Sequence, residues 1–526
     1  MEEQDYIIVG SGAAATVLAK KILEKNPLTK LLMLEAGDLI PAKERRQWWN
    51  YATCADAPLP YQYTYDKKSD NQSTLDKDDK PTWTTSGGRV RAFGGSTMHW
   101  GGWALRFKPE DFQLLTNTGQ GADWPIDYHE LEPYYAQAEQ YMSVCGDETE
   151  NWQPRSTPYP IPPFEWTAAD GEMIKAFNAL GIQPGKMPVA RYRKCMTTGT
   201  CKYCPYGARF SAQYVLQDLV ENPDFINFKV LTQSVVTNII ASSKTQISGV
   251  DYMNNQTDEA FTLTAKKTIL CAGAYEIPKL LMASTSKYWP NGMGNDHDLV
   301  GRYIVTHSML EVTGKAPSNP HGLWQEYDFP TLMSRTYDSP EQQKKGKLFL
   351  FKDRTRPKID IAQLMIDGMS KIDINKKIRG ACEFKLQAFM EEVGQYESRL
   401  SIGEGKDRFG LPLTKIDYHK TDEDDKRADT HIAFMKTIIE EMGLEVVKTF
   451  KQTPRGDHTT GTCRMSATAA TGVTDADLKV HNIANLYICS NGVFSSNSAV
   501  NPTLTLTALA HRLAEHLNQQ DETAHA

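Results

Sequence analysis

The sequence predicts an α/β fold in which a parallel βαβ unit is interleaved with a second, α+β domain that carries an antiparallel sheet. Three observations predict it: a glycine-rich turn after an apolar N-terminal run, alternating strand-like runs in the middle of the chain, and a helix-forming run near the C-terminus. At 526 residues the chain exceeds one ordinary domain. Two intertwined domains are therefore expected.

The N-terminal run has the spacing of a dinucleotide-binding βαβ unit. Strand-like residues 5–9 and 31–34 flank a helix-like segment at 16–25. Gly10 allows the tight turn, Gly12 lets the backbone approach a pyrophosphate, and Ala15 is the third small residue of the pattern. Glu35 ends the second strand, where an acid binds ribose hydroxyls. An acid there favours FAD or NAD over NADP.

The middle of the chain alternates as strands do. Strand-like runs cover residues 228–231, 235–239, 247–252, 261–264, 267–271 and 381–388. We expect a helix to begin near Pro278. A second helix should cover residues 422–442, with Ile432, Met435 and Ile439 on one face. Residues 518–526 are polar and should fray.

Two candidate proton-handling side chains lie near the C-terminus. His458 opens the run His-Thr-Thr-Gly-Thr-Cys-Arg-Met, and Asn501 directly precedes Pro502. Proline favours an extended residue before it and a helix after it. The predicted helix, residues 503–517, therefore has its N-terminus beside Asn501, where negative charge is favoured.

These C-terminal residues, with the N-terminal turn, resemble the glucose–methanol–choline (GMC) flavoprotein oxidoreductases. The resemblance implies an FAD-binding domain formed by residues 1–300 and 451–526, and a substrate-binding cap formed by residues 301–450. It implies that His458 is the general base on a substrate hydroxyl and that Asn501 holds the same oxygen. It also implies a set of FAD-binding residues: Gly10, Gly12, Ala15, Glu35, Gly94, Gly95, Ser96, His99, Val236, Gly273, Asn491, Asn501 and Thr503.

The loop of residues 93–102 carries two glycine pairs, Gly94-Gly95 and Gly101-Gly102. Backbone that presses on a flat ring or a phosphate requires such residues, since a side chain would clash. The His99-Trp100 pair resembles pyranose oxidase and the bacterial sugar dehydrogenases, some of which attach the flavin to this histidine. His99 is therefore a candidate for a covalent histidyl–flavin bond. The alternative is that it packs on the flavin or binds nearby backbone.

Three cysteines lie within ten residues, in a C-x5-C-x2-C-P run formed by Cys195, Cys201 and Cys204. We expect this run to be an insertion near residues 190–210 of the first domain. Close thiolates followed by proline suit an iron–sulfur cluster. The run resembles the motif in the large subunits of FAD-dependent glucose, gluconate and fructose dehydrogenases, which implies a three-iron, four-sulfur cluster. Met196 replaces a second cysteine of that motif, and the last gap is shorter. A four-iron cluster with a non-cysteine ligand, a zinc site and plain thiols stay open.

Composition excludes several classes of protein. The net charge of −7 with no basic run argues against nucleic-acid binding, and no apolar stretch approaches the roughly eighteen residues of a membrane span. Nine scattered cysteines do not form a disulfide scaffold. The chain runs from Met1 straight into the first strand, so we expect no signal peptide of its own.

The favoured function is an FAD-dependent dehydrogenase that oxidises a hydroxyl of a sugar or glycoside, with a 3-keto sugar as one conceivable product. Electrons would pass through the cysteine cluster to a c-type cytochrome or another acceptor. The resemblance also implies a small chaperone-like subunit with a twin-arginine signal, and hence a periplasmic location, the alternative being the cytoplasm. The alternatives are an oxygen-reducing oxidase of the pyranose-oxidase type, a lyase like the flavin-containing hydroxynitrile lyases, and an inert scaffold subunit.

Overall fold

The computed structural model describes residues 2–40, 72–73, 82–83, 90–191, 195, 207–319, 327, 329–353, 361–452, 454 and 456–525. Its strands are β1 (Gln4–Val9), β2 (Leu31–Leu34), β3 (Gln72–Ser73), β4 (Val144–Cys145), β5 (Gly185–Lys186), β6 (Val189–Ala190), β7 (Phe228–Leu231), β8 (Ser234–Ala241), β9 (Ile247–Asn254), β10 (Ala260–Leu270), β11 (Ser308–Ala316), β12 (Leu332–Ser334), β13 (Leu348–Lys352), β14 (Cys382–Met390), β15 (Arg399–Lys406), β16 (Pro412–Asp417), β17 (Glu445–Lys451) and β18 (Leu486–Ile488). Its α-helices are α1 (Ala13–Lys25), α2 (Leu114–Thr118), α3 (Tyr128–Met142), α4 (Ala168–Ala179), α5 (Ala212–Glu221), α6 (Gly273–Ala283), α7 (Ile361–Ile366), α8 (Lys371–Ile378), α9 (Asp422–Glu441) and α10 (Thr503–His525).

A seven-stranded sheet carries the N-terminal βαβ unit. Its order is β7-β2-β1-β10-β9-β8, and β18 also pairs with β10. Strands β7, β2, β1, β10 and β18 are parallel neighbours, whereas β8, β9 and the first half of β10 form an antiparallel meander. The carboxyl ends of β1, β2 and β10 coincide, because Val9 lies opposite both Leu34 and Leu270. The glycine turn after β1 therefore opens at the edge where such sheets bind ligands.

The two strands expected at residues 261–264 and 267–271 are one continuous strand, β10. That expectation was wrong because Ala265 and Lys266 carry no turn signal. Ala265 is buried, and Lys266 points outward to an ion pair with Asp5 at 2.8 Å. The strand thus pairs with β9 in its first half and with β1 in its second half.

The C-terminal helix, α10, is longer than its polar sequence predicts. It extends to His525, so the fraying expected for residues 518–526 was wrong as far as His525, and Ala526 lies outside the described residues. Its last turns are bound to the sheet, because Asp521 accepts a hydrogen bond from Tyr6 Oη at 2.5 Å and pairs with Lys267 Nζ at 2.5 Å. Neither this helix nor any other in the described part of the chain is long and apolar enough to cross a membrane.

A second, six-stranded antiparallel sheet has the order β17-β11-β14-β13-β12-β5. The predicted helix at residues 422–442 is confirmed as α9, and its expected face is buried against this sheet. The opposite face of the sheet carries Phe349, Phe351 and Phe389, which belong to the main core cluster. Alternation along the strands thus separates a helix-covered face from an aromatic face that contacts the rest of the molecule.

Helix α6 begins at Gly273, five residues before the start expected near Pro278. The expectation was wrong because proline is tolerated inside this helix. Pro278 has no N–H for the carbonyl of Ala274, four residues earlier. The Thr462 hydroxyl donates to that carbonyl oxygen at 2.8 Å. The segment that follows His458 is therefore tied to the first turn of α6.

Candidate active site

The turn between β1 and α1 has the geometry that a dinucleotide requires. Gly10 has a φ of +98°, and a Cβ there would lie 2.8 Å from the carbonyl oxygen of Cys271. Gly12 has an ordinary φ of −75°, and among the described residues nothing lies within 4 Å of the position its Cβ would take. Ala15 is fully buried under this turn. The backbone at Gly12 can therefore be approached closely by a phosphate at the helix N-terminus.

Glu35 lies beside this turn and is 5% exposed. It accepts hydrogen bonds from Ser11 N at 3.1 Å, Ser11 Oγ at 2.5 Å and Gly37 N at 2.8 Å. Burial raises the pKa of its carboxyl above the usual value, and these hydrogen bonds oppose that rise. The acid is thus held where a ribose would meet it.

The loop of residues 94–99 lies directly over the glycine turn. Gly94 has a φ of +98°, and a Cβ on Gly95 would lie 3.0 Å from Gly12 Cα. Arg209 holds the loop by donating to Thr97 O at 3.2 Å and Met98 O at 2.7 Å. This close approach explains the first glycine pair.

The other predicted FAD-binding residues surround this region. Ser96 is exposed and its Oγ accepts from Val90 N at 3.3 Å, whereas His99 is half-buried at the end of the same short helical turn. Val236 is buried in β8, whose first residue, Ser234, donates its N–H to Glu35 O at 2.8 Å. Gly273, with a φ of +83°, starts α6.

His458 and Asn501 are brought together. Asn501 Nδ2 lies 3.0 Å from His458 Nε2, although 43 residues separate them in sequence. Asn501 is 9% exposed, and within the described residues its Oδ1 has no hydrogen-bond partner. Thr503 begins α10 two residues later. An imidazole nitrogen and an amide nitrogen that lie this close together can both contact one substrate oxygen.

The segment that carries His458 is anchored on α6. Thr459 Oγ1 lies 2.6 Å from Tyr275 Oη, which also accepts from Trp83 Nε1 at 2.7 Å. Thr462 binds the carbonyl of Ala274 as described above. These contacts fix the backbone on the C-terminal side of His458.

The loop that leads to Asn501 is anchored on Asp111. Ser498 Oγ donates to Asp111 Oδ2 at 2.9 Å, and Ser496 Oγ donates to the Asp111 carbonyl at 2.9 Å. Trp124 Nε1 donates to Ser496 Oγ at 2.8 Å. Asp111 is itself fully buried and pairs with Lys347 Nζ at 2.5 Å. Sequence reasoning missed both charged residues, since neither lies in a recognisable motif.

Another residue that sequence reasoning missed is His307, which directly precedes β11. Its ring centroid lies 5.0 Å from that of His458, in an edge-to-face arrangement. It also stacks on Phe389 at 5.2 Å, and Phe389 in turn contacts His458 at 5.2 Å. Only its position at a strand start could have drawn attention to it.

Several buried polar atoms of the site make no hydrogen bond. In the part of the chain that the structure describes, these atoms are Asn491 Oδ1, Asn497 Nδ2, Asn501 Oδ1 and both ring nitrogens of His307. Buried polar atoms are nearly always paired in folded proteins. Such atoms also occur elsewhere in the described chain, but those of residues 491, 497 and 501 lie on the segment that ends at the His458–Asn501 pair, where a polar ligand could bind them. Together with the glycine turn and Glu35, these residues fit FAD.

The cysteine run is described only at Cys195, which is half-buried and packs against the main core. Cys201 and Cys204 lie outside the described residues. Among the residues that are described, no three His, Cys, Asp or Glu side chains are grouped as a metal site. The iron–sulfur expectation therefore stays a prediction.

Comparison with known proteins gives a consistent family. Two GMC oxidoreductase family models match residues 4–309 and 395–510. The chain is 25% identical to the fructose dehydrogenase large subunit of Gluconobacter japonicus, over 97% of each chain. It is 24% identical to the 6'''-hydroxyparomomycin C oxidase of Streptomyces lividus, over 99% of this chain and 93% of that protein.

Solved structures show the same fold. Pyridoxine 4-oxidase from Mesorbium loti superposes with a TM-score of 0.68 at 18% identity, over 98% of this chain and 99% of that one. A formate oxidase superposes with a TM-score of 0.70 at 15% identity, over 99% of each chain.

Proposed function

Because this chain belongs to the GMC oxidoreductases and is an FAD-dependent enzyme that oxidises CH–OH groups, we propose that its substrate is a sugar or glycoside. The observation that carries the proposal is the 3.0 Å pairing of Asn501 Nδ2 with His458 Nε2. The relatives whose names mention fructose and paromomycin, a sugar and an aminoglycoside, support a carbohydrate hydroxyl as the reacting group.

In this proposal the two side chains handle the substrate hydroxyl. His458 takes the hydroxyl proton as general base, since a neutral imidazole accepts a proton near physiological pH. Asn501 binds the same oxygen and thereby fixes the direction of the C–H bond. Bound FAD would supply the hydride acceptor that this oxidation needs, and with the proton on His458 the alcohol would leave as a carbonyl compound.

The FAD itself would be held by the glycine turn and by Glu35. Gly12 would face the pyrophosphate at the N-terminus of α1, and Glu35 would bind the ribose. His99 remains the candidate for a covalent bond to the flavin, because it follows the loop that lies on Gly12.

We propose that Cys195, Cys201 and Cys204 hold an iron–sulfur cluster, which supplies single-electron transfer. The spacing of the three thiols and the match with a dehydrogenase large subunit support this. That relative's name also supports partner subunits. We propose a small chaperone-like subunit, a c-type cytochrome as acceptor, and export to the periplasm with the small subunit.

A second candidate is an oxidase that passes electrons directly to oxygen. The relative from Streptomyces lividus, which is named as an oxidase, favours this second candidate. The two candidates share the chemistry at His458 and differ only in where the electrons go.

One experiment separates them. The purified FAD-loaded protein is mixed without oxygen with a panel of sugars, glycosides and simple alcohols, and bleaching of the flavin absorbance is followed. A sugar that bleaches the flavin supports the proposal, and a panel in which only non-sugar alcohols do so contradicts it. Iron analysis and reoxidation by cytochrome c or oxygen then decide the acceptor. About three to four irons per chain, lost in Cys201→Ser without slower bleaching, support the dehydrogenase. Iron-free protein that forms peroxide supports the oxidase.

A further inference from the structure

His307 joins the active site from the second sheet. It lies one residue before β11, and Phe389 of β14 lies opposite Met309 in the same sheet. The His307 ring lies nearly parallel to Phe389, with an interplanar angle of 23°, and nearly perpendicular to His458, at 78°. Phe389 therefore contacts both imidazoles, and the two imidazoles contact each other.

Packing alone does not explain a histidine at this position. His307 is 5% exposed, and among the described residues its ring lies near the backbone of Ser498, but neither ring nitrogen meets the geometry of a hydrogen bond. A buried polar atom without a partner destabilises a folded protein. Phenylalanine would fill the same space beside Phe389 without that cost. The contact with Ser498 involves at most one ring nitrogen, so at least one nitrogen is available to a ligand.

The ring is electrically neutral under ordinary conditions. Burial holds its pKa well below the usual value, the neighbouring His458 lowers it further, and the backbone of Ser498 opposes the shift. A neutral imidazole has one donor and one acceptor nitrogen. It can therefore bind a hydroxyl group, which also donates and accepts, without introducing a charge beside the base.

We propose that His307 is a substrate-binding residue that hydrogen-bonds a second hydroxyl, next to the one that His458 deprotonates, and so selects vicinal diols over simple alcohols. The ring centroids are 5.0 Å apart, and the oxygens of a vicinal diol are about one hydrogen-bond length apart. Each imidazole can therefore reach one oxygen of the pair. This inference rests on the proposed function, because a sugar ring presents such diols.

The test compares two ring alcohols that differ in one hydroxyl, cyclohexanol and trans-1,2-cyclohexanediol. Their dissociation constants from the FAD-loaded protein are measured from the change in the flavin spectrum, or from competition with a sugar that bleaches it. Wild type should bind the diol about tenfold more tightly, as one good hydrogen bond implies. His307→Phe should lose that preference while its affinity for cyclohexanol stays within about twofold.

Two further variants keep the test decisive. His307→Gln retains a donor and an acceptor and should keep part of the preference, so it serves if His307→Phe does not fold. His511→Phe is the matched control: His511 lies in α10, is also buried and packs on Tyr141 of α3, and its ring nitrogens also have no hydrogen bond within the described residues. It should keep the full preference.

Equal affinity of wild type for the two alcohols, or a diol preference that survives in His307→Phe, would overturn the inference. Neither outcome touches the proposed function, which fails only if no sugar bleaches the flavin. Kinetics give a second readout: for a sugar substrate, loss of a binding hydroxyl contact should raise KM more than it lowers kcat.

Discussion

Replacing Lys347 with Met should destabilise the protein strongly, because the buried carboxylate of Asp111 then loses the cation that pairs with it. The Lys347 side chain is fully buried, and its Nζ lies 2.5 Å from Asp111, 3.0 Å from Glu110 and 3.4 Å from Asp338. These acids raise the pKa of Lys347 above its usual value although burial alone would lower it. Removing one partner from a buried ion pair costs about 3–5 kcal/mol.

The loss should reach the active site. Asp111 also holds Ser498 and Ser496, whose loop leads to Asn501. A loss of about 3–5 kcal/mol is a large part of the roughly 5–15 kcal/mol by which a typical domain is stable. We therefore expect a lower urea midpoint together with slower bleaching of the flavin by substrate.

The assay is urea unfolding of the FAD-loaded protein, followed by tryptophan fluorescence. The matched control is Lys175→Met, since Lys175 pairs with Glu172 at 3.2 Å on the surface and is 75% exposed. An exposed pair contributes little, so this control should change the free energy of unfolding by less than about 1 kcal/mol. Equal, small shifts in the two variants would refute the reasoning that the buried cluster supports the loop.

Three shorter predictions follow from single sites. Burial raises the pKa of Glu150 from 4.5 to about 7, so its contribution to stability is complete below pH 4.5 and is lost as the pH rises to 7. Relative to Glu150→Gln, the free energy of unfolding of the wild type should fall by up to about 1.4 kcal/mol per pH unit in that window. The same pH dependence of the free energy of unfolding in both proteins would contradict this. Gly12→Val should fold normally, because no described atom lies within 4 Å of its Cβ position, but should lose FAD on gel filtration; full FAD content would contradict the pyrophosphate placement. Acid precipitation tests the covalent bond between His99 and the flavin. FAD that stays with the precipitated wild type but is released from the His99→Ala variant supports the bond. FAD that is released from the wild type contradicts it.

The parts of the fold that the sequence predicted are those with local signals. The βαβ unit was predictable because Gly10, Gly12 and Glu35 stand at fixed distances from two apolar runs. Helix α9 was predictable from its apolar period. The run of residues 260–270 was divided wrongly because its middle is polar on one face, and the end of α10 was missed because Asp521 binds partners far away in sequence.

The candidate site was predictable only where a motif marks it. His458 and Asn501 belong to runs that resemble a family signature, so they could be named before their 3.0 Å pairing was known. His307 could not, because it reaches His458 from another sheet, 151 residues earlier in the chain. Asp111 and Lys347 likewise act through tertiary contacts, and no local pattern indicates them.

The most direct test of the account is the rate at which substrate bleaches the flavin in His458→Ala, measured by stopped flow without oxygen. The variant should bind FAD as wild type does, because the cofactor contacts lie on other segments, yet its bleaching rate should fall by about 10²–10⁴-fold. Asn501→Ala should lose less, since it positions the oxygen and removes no proton. A His458→Ala variant that is bleached at the wild-type rate would contradict the assignment of the base.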